Sequence, residues 1–448
     1  MTGHLIKRLP VDTGRSGWEA ISTRRVPVRV LEDNILADWL VIGAGFAGLS
    51  AARRLSQLRP RERIVVLEAR EVAEGPAGRN SGFLIDVPHN LSSGEYSVAD
   101  EAATTLEIEQ NRLAIAFAAE AAAEYGMSSA TFNPSGKTNA ASTERGVKLN
   151  ANYARSLSRI GEAYKLLDSA QMREITGSPY YLGGLYTPGA VMIQPADYTR
   201  SFAAGLSSKV DIFENSPVLE LSRGTSGWTA RSSRGSVSAP KTILAVNGHV
   251  ENFGHFGGRL IHIFTYASMT AAYSQKKLGR AATGADQWAL LPADPMGATV
   301  RKITKNGDSR IVIRTRFTYD PSLQVSERRV AGIAAEQRKS LDGRFPELAA
   351  IPLEFSWAGR LCLSWNHVPA FGEVEENLYS ACCDNGLGTV KSTLAGMMAA
   401  DLAAGNPSRS LQKYQDQPRP SRLPPAPFAW LGINSVIRWQ ELRAGRER

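Results

Sequence analysis

Cysteine is scarce in this sequence: three residues in 448, at Cys362, Cys382 and Cys383. An odd number with two adjacent members excludes a disulfide scaffold, because neighbouring cysteines do not normally bridge, and a reducing, cytoplasmic setting is expected. Long hydrophobic runs are missing as well. No 18-residue apolar stretch occurs, nor a basic start followed by an apolar core and a small-residue cleavage site, so neither a membrane span nor a secretory signal is expected. The six histidines form no HExxH, and the Cys382-Cys383 pair has no second pair, which argues against a metal site. Blocks of like charge are also lacking. The net charge of +9 is dispersed in ones and twos (Arg24 and Arg25, Arg53 and Arg54, Lys276 and Lys277), the pattern of a solvated surface and not of a nucleic-acid partner. Ser135-Gly136-Lys137-Thr138 echoes a phosphate loop, but Thr131 stands where that motif needs glycine, and no GxSxG elbow is present.

What remains is a chain with 43% hydrophobic residues and 40 glycines, long enough for two or three domains. Residues 1–36 are polar and without periodicity, and are expected to form a surface arm. Trp39 to Ile42 is a short apolar run of the kind that makes a buried parallel strand. After Gly43, Gly45 and Gly48, the spacing of Leu49, Ala52, Leu55 and Leu58 predicts a helix closed by Pro60. Ile64 to Leu67 reads as a second strand that ends in Glu68. Helices are expected over Glu101–Tyr125, from Val147 to Leu167, over Ser326–Leu341 and over Leu394–Leu402. Strands are expected at Val210–Phe213, Val218–Leu221, Trp228–Arg231, Thr242–Val246, Ile261–Thr265, Thr299–Ile303 and Arg310–Phe317. The proline-rich tail is expected to be an extended strap.

The strongest chemical signal is Gly43-Ala44-Gly45-Phe46-Ala47-Gly48 between strand and helix. Gly43 allows the tight turn, Gly45 lets backbone approach a pyrophosphate, and Gly48 lets helix and strand pack closely, while the helix N-terminus offers free N–H groups. Glu68 lies 20 residues after Gly48, at the end of the next strand, where a carboxylate can bind ribose hydroxyls. Strand, glycine turn, helix, strand and acid together predict a dinucleotide site. Spacing alone leaves NAD and FAD both open.

The next segment supplies a resemblance. Glu68-Ala69-Arg70 followed by Gly75-Pro76-Ala77-Gly78-Arg79-Asn80-Ser81-Gly82 resembles the flavin-contact segment of the D-amino-acid oxidase superfamily, which includes glycine oxidase, sarcosine oxidase and gamma-glutamylputrescine oxidoreductase. The Gly-Arg-Asn-Ser-Gly run looks most like the last of these. The resemblance implies FAD as cofactor, touched by the glycine turn, by Glu68, Ala69 and Arg70, and by Arg79, Asn80, Ser81 and Gly82. Further along, Glu214-Asn215-Ser216-Pro217-Val218 looks like the strand whose valine backbone meets the adenine. Ala245-Val246-Asn247-Gly248-His249 looks like the strand end that returns to the cofactor, through Asn247. Trp357-Ala358-Gly359-Arg360, Gly372, Asn377-Leu378-Tyr379 and Asn385-Gly386-Leu387-Gly388-Thr389 look like the closing segment, so the likeness runs from about Ala37 to Gly405. A Gly-x-Gly turn that opens a helix would also aim N–H groups at negative charge developing on a reduced flavin.

Two departures from the family pattern stand out. Leu387 replaces the histidine that sarcosine-oxidase-like members carry between the last two glycines, and Lys391 is shifted by about one residue from their carboxylate-binding lysine. Arg314 and Arg316 alternate on a predicted strand, which would place both on one face as candidate anion contacts. Cys362, in Arg360-Leu361-Cys362-Leu363, falls near the position of covalent flavin attachment in some relatives, although a free cysteine is commonly a small buried hydrophobe. Candidate substrate-lining residues are Phe83, Asp86 and His89, with Trp365 and Asn366 opposite.

The expected fold is a doubly wound, Rossmann-like α/β FAD-binding domain (37–100, 190–255 and 350–410). It is interleaved with an α+β substrate domain on a large mixed sheet (101–189 and 256–349), between the arm and a proline-rich strap at 411–448. The expected reaction is oxidation of an amine or amino acid, a secondary amine, a carboxylated polyamine derivative or an opine-like N-substituted amino acid. Hydride would pass to flavin N5, water would hydrolyse the imine, and O2 or another acceptor would reoxidise the flavin, with hydrogen peroxide formed from O2. Arg314, Lys391 and His89 are the candidate substrate contacts. The alternatives are an NAD-dependent dehydrogenase and an RNA-associated, tRNA-modifying flavoprotein.

Overall fold

The computed structural model describes residues 3–23, 28–88, 101–274 and 284–448. A six-stranded sheet runs in the order 211–213, 64–67, 39–42, 241–244, 378–382, 370–375. The first five strands are parallel and the last is antiparallel. All four residues of Trp39–Ile42 and of Ile64–Leu67 are buried, which explains why both read as unbroken apolar runs: a parallel strand covered on both faces has no solvent side. Alternate side chains separate into two cores. Trp39, Val41 and Val66 join the helices on one face, whereas Leu40, Ile42, Val65 and Leu67 pack against Leu221, Trp228 and Val237 of a five-stranded sheet on the other.

On the helical face, Phe46–Leu58 packs against Gly388–Ala404, which is buried nearly all round. The two backbones approach closely at Gly396, where an added Cβ would meet Ala47 O at 2.1 Å. Helix Gly388–Ala404 therefore starts at the glycine turn itself, six residues before its periodic apolar positions predict. The helix expected from Val147 to Leu167 is Glu144–Arg159; Gly161, at φ +72°, turns the chain, and Lys165–Asp168 is an edge strand.

The second large sheet has nine strands, with Leu260–Thr270 between Leu353–Ser364 and Asp308–Tyr319. Leu353–Ser364 thus crosses into this sheet from a stretch assigned to the cofactor domain. Helix Glu327–Arg344 covers the sheet, with Ser326 as its N-cap.

The two chain ends differ from expectation. Residues 3–5 pair with 220–222, residues 34–36 pair with 236–238, and Trp18 is completely buried, so the arm is woven into the body by strand pairing and one large aromatic. The proline-rich tail is extended only in part. Arg409–Gln415 is a helix, and Ala426–Ala444 is a second one in which Pro427 occupies the first turn, where its missing N–H breaks no helical hydrogen bond.

Candidate cofactor and active site

A cleft enclosing about 2100 Å³, open mouth included, lies where the strands of the parallel sheet end and the second sheet begins. At its floor Gly43 adopts φ +105°, closed to side-chain-bearing residues, and a Cβ on Gly48 would lie 1.7 Å from Gly43 O. Gly45 is different: an added Cβ would meet only Ala77 Cβ, at 3.8 Å, so this backbone faces open space. No side chain caps helix Phe46–Leu58, and its first-turn N–H groups are left for an anionic group in the cleft. Glu68 accepts from Ala44 N at 2.8 Å and from Arg70 N at 3.1 Å. It is reached from the cleft but enclosed by protein elsewhere, and this desolvation raises its pKa against the lowering effect of its backbone donors. Val218, Ala69 and Arg70 line the same end.

The segment at 75–82 forms the next wall. Asn80 donates to Ala77 O at 2.7 Å and accepts from Gly82 N at 2.8 Å, which sets the turn by which Ser81 and Gly82 enter the cleft. The Arg79 side chain is spent on backbone carbonyls: Glu74 O at 2.7 Å, Thr13 O at 3.1 Å, Ala358 O at 3.0 Å and Gly14 O. It lines the cleft while stitching the arm to the second sheet. Sequence reading missed Arg301, which donates from one nitrogen to Ser81 O and Ile193 O, both at 2.8 Å, and to Gly82 O at 3.3 Å. Its guanidinium lies over the rings of Trp18 and Phe83, and burial pushes its pKa down to about 10. Nothing in the local sequence around Arg301 marks that role.

The closing turn meets the glycine turn from the opposite side. Asn247 accepts from Cys383 N at 3.1 Å and approaches Asp384 Oδ2 at 3.3 Å, and Asp384 accepts from Gly386 N at 3.1 Å. Helix Gly388–Ala404 starts after Leu387 with no side-chain cap, so a second uncapped N-terminus opens into the cleft beside Gly386, Gly388 and Thr389. Desolvation foremost raises the pKa of Asp384. Cys362 lines this end with its thiol pKa well above the ordinary value, through hydrogen bonding with Cys383 and then burial.

The candidate substrate contacts separate. Arg314 lines the cleft with Thr265, Leu291 and Phe317, and donates to Thr299 Oγ1 at 2.8 Å. Arg316 does not share its face. A β-bulge opposite Thr265 and Tyr266 puts Arg316 at φ +62°, so Phe317 turns to the cleft and Arg316 pairs with Glu336 and the buried Glu441. Lys391 is outside the cleft lining and pairs with Glu107 at 2.6 Å. Phe83 lines the cleft, whereas Asp86 is buried against Arg112 at 3.1 Å. Trp365 is an exposed residue away from the lining, and Asn366 bonds to the strap at Arg419 O and Ser421 N. His89 lies outside the described residues. Unforeseen, the arm supplies Ile6, Leu9, Pro10 and Asp12 to the cleft wall. Asp12 bridges Arg70 and Arg360, and Arg360 also donates to His249 Nε2.

These residues fit FAD: an open backbone at Gly45, two uncapped helix ends and an acid at the strand tip all face one elongated cleft. The family model described as DAO, FAD dependent oxidoreductase, matches residues 38–402. A probable oxidoreductase OrdL from Haemophilus influenzae is 24% identical over 83% of this chain and 84% of its own length. Gamma-glutamylputrescine oxidoreductase from Escherichia coli is 23% identical over 88% and 90%. Among solved structures, glycine oxidase from Geobacillus kaustophilus shares the fold with a TM-score of 0.68, at 18% identity, over 87% of this chain and 99% of that one.

Proposed function

This chain belongs to the DAO family of FAD-dependent oxidoreductases, and from that premise we propose that it oxidises an amine or amino acid at a C–H bond next to nitrogen. The observation that carries the reading is the convergence of two uncapped helix N-termini and the 75–82 segment on one cleft, entered from the second sheet by Arg314. Bound there, FAD supplies the chemistry, acceptance of two electrons from the substrate C–H bond. The chain's residues do the rest. Gly43 to Gly48 would bring backbone N–H groups to the pyrophosphate, and Glu68 would accept from the ribose hydroxyls. Asn247, Gly386, Gly388 and Thr389 would hold its far end, where the helix dipole would offset negative charge.

On the substrate side, Leu291, Phe317 and Thr265 form a mostly apolar wall that limits water, and Arg314 beside them would hold a carboxylate. A secondary amine or carboxylated polyamine derivative suits that wall, in line with the named activity of the Escherichia coli relative. Oxygen is the proposed acceptor, with hydrogen peroxide as product. Purified protein tests this directly. Its flavin absorbance should bleach when carboxylated amines are added without oxygen, recover on aeration and release peroxide. A protein that binds NAD and leaves FAD unbound, or a flavin that no amine or amino acid bleaches, would overturn the reading.

A further inference from the structure

Helix Ala426–Ala444 has two apolar faces. One, formed by Ile433, Ile437 and Ala444, packs with Ile261 and Phe317 of the second sheet and with Met296 in a turn between two of its strands. The other points outward. Phe428, Leu431, Trp439 and Leu442 are 70, 57, 59 and 77% exposed, and at 100° per residue they fall on one stripe. Val436 flanks it and is also exposed, whereas Trp430, exposed too, falls on the angular side of Ile433 and Ile437. Large apolar side chains scattered singly over a surface need no explanation, but four of them, Trp439 included, aligned along one side of a single helix mark a docking face.

Charge says what covers it. From Gln417 to Arg448 the charged residues are six arginines (419, 422, 438, 443, 446 and 448) and two glutamates. Both glutamates are buried and turned inward, Glu441 onto Arg316 and Phe317 N, Glu447 onto Ser142 N and Thr143. Arg448 turns inward to Glu336 at 3.5 Å, so the charge that the helix itself presents outward is positive and comes from Arg443 and from Arg438, which stays exposed although 3.5 Å from Glu441. Arg438 and Arg443 border the stripe on either side, and the Arg443 guanidinium lies 5.3 Å from the centre of the Trp439 ring. A second copy of the chain on this face would bring arginine against arginine. An anionic bilayer instead accepts the apolar stripe among its acyl chains and the arginines among its headgroups. No helix among the described residues is long and apolar enough to cross a membrane, so the helix would lie in the surface plane.

We propose that the outward face of helix Ala426–Ala444 docks this protein on an anionic membrane surface. The helix is held firmly for that purpose: the strap before it bonds through Leu423 N to Gly258 O at 2.9 Å and through Pro420 O to Arg259 at 2.5 Å. Docking also touches the cleft wall, because Glu441 accepts from the backbone N of Phe317 at 3.1 Å.

The test is flotation of the full-length, FAD-loaded protein with vesicles of phosphatidylcholine alone or mixed with phosphatidylglycerol, at low and high salt. Binding is expected to the anionic vesicles only, weakened by salt, with a blue shift in tryptophan emission. Trp439→Ser with Leu442→Ser, or Arg438→Glu with Arg443→Glu, should each lower binding by about tenfold or more, with thermal unfolding and flavin content unchanged. Indifference to anionic vesicles at low salt would overturn the proposal. So would a dimer in light scattering that the Trp439 and Leu442 substitutions dissociate, since a second copy would then cover the face.

Discussion

The carboxylate of Asp12 lies 3.0 Å from the guanidinium of Arg360, although 348 positions separate them in the chain. Both are buried, and the same oxygen of Asp12 meets Arg70, 3.2 Å away, at the edge of the cleft. Desolvation lowers the pKa of Arg360, and Asp12 is the neighbour that opposes this most. The arm is therefore an electrostatic part of the site. Asp12→Ala should destabilise the protein by about 3 kcal/mol, the low end for a broken buried pair because His249 still accepts from Arg360. Chemical denaturation measures the loss, and flavin content on purification should fall with it. Unchanged stability would remove the arm from this account.

The glycine turn yields paired expectations. Gly45→Val should fold normally, since the space at its Cβ is open, yet lose FAD because the new side chain occupies the pyrophosphate approach. Gly48→Ala should damage the fold itself, by about 1–3 kcal/mol, because Gly43 O stands in the way. The thermal midpoint of the flavin-free protein and the flavin-to-protein ratio separate the two effects. The idea is wrong if both variants behave alike.

Cys362 lines the cleft but holds its proton tightly, beside Cys383 and out of water. A thiol in that state is a poor nucleophile. Acid precipitation should therefore release the flavin into the supernatant, and Cys362→Ala should purify with as much FAD as the parent. Colour that stays with the precipitate and disappears in Cys362→Ala would establish covalent attachment instead.

His249 gives a pH dependence of definite sign. Burial first, then Arg360 and His262, push its pKa down to about 3 from an ordinary 6.5. Between those values the unfolded chain binds a proton that the native imidazole refuses. Its contribution is thus complete above pH 6.5 and declines on acidification, by at most about 1.4 kcal/mol per pH unit. Denaturation midpoints across this window should fall less steeply for His249→Asn than for the parent.

The cofactor half of this protein was legible where chemistry demands contiguous residues. The glycine turn, Glu68 and the strands around them come from one local unit, whose backbone must bend, approach and pack in one way. The Gly386-Leu387-Gly388 turn was legible for the same reason. The arm was misjudged because Trp18 and Asp12 look like ordinary polar-segment residues until Asn80, Arg70 and Arg360 surround them. Arg314 and Arg316 illustrate a subtler failure: strict alternation puts both on one face, and the bulge that parts them leaves no mark in the residue types.

Local steric and hydrogen-bonding requirements therefore carried the family, the cofactor and the Rossmann-like start of the fold directly in the order of the residues. Tertiary packing settled what each of the candidate charges pairs with. Lys391 went to Glu107, Asp86 to Arg112, Arg79 to backbone carbonyls and Arg316 to Glu441, whereas Arg314 lines the cleft with a bond to Thr299. A buried charge takes whichever partner the folded chain brings within reach, and that partner is often tens or hundreds of positions away.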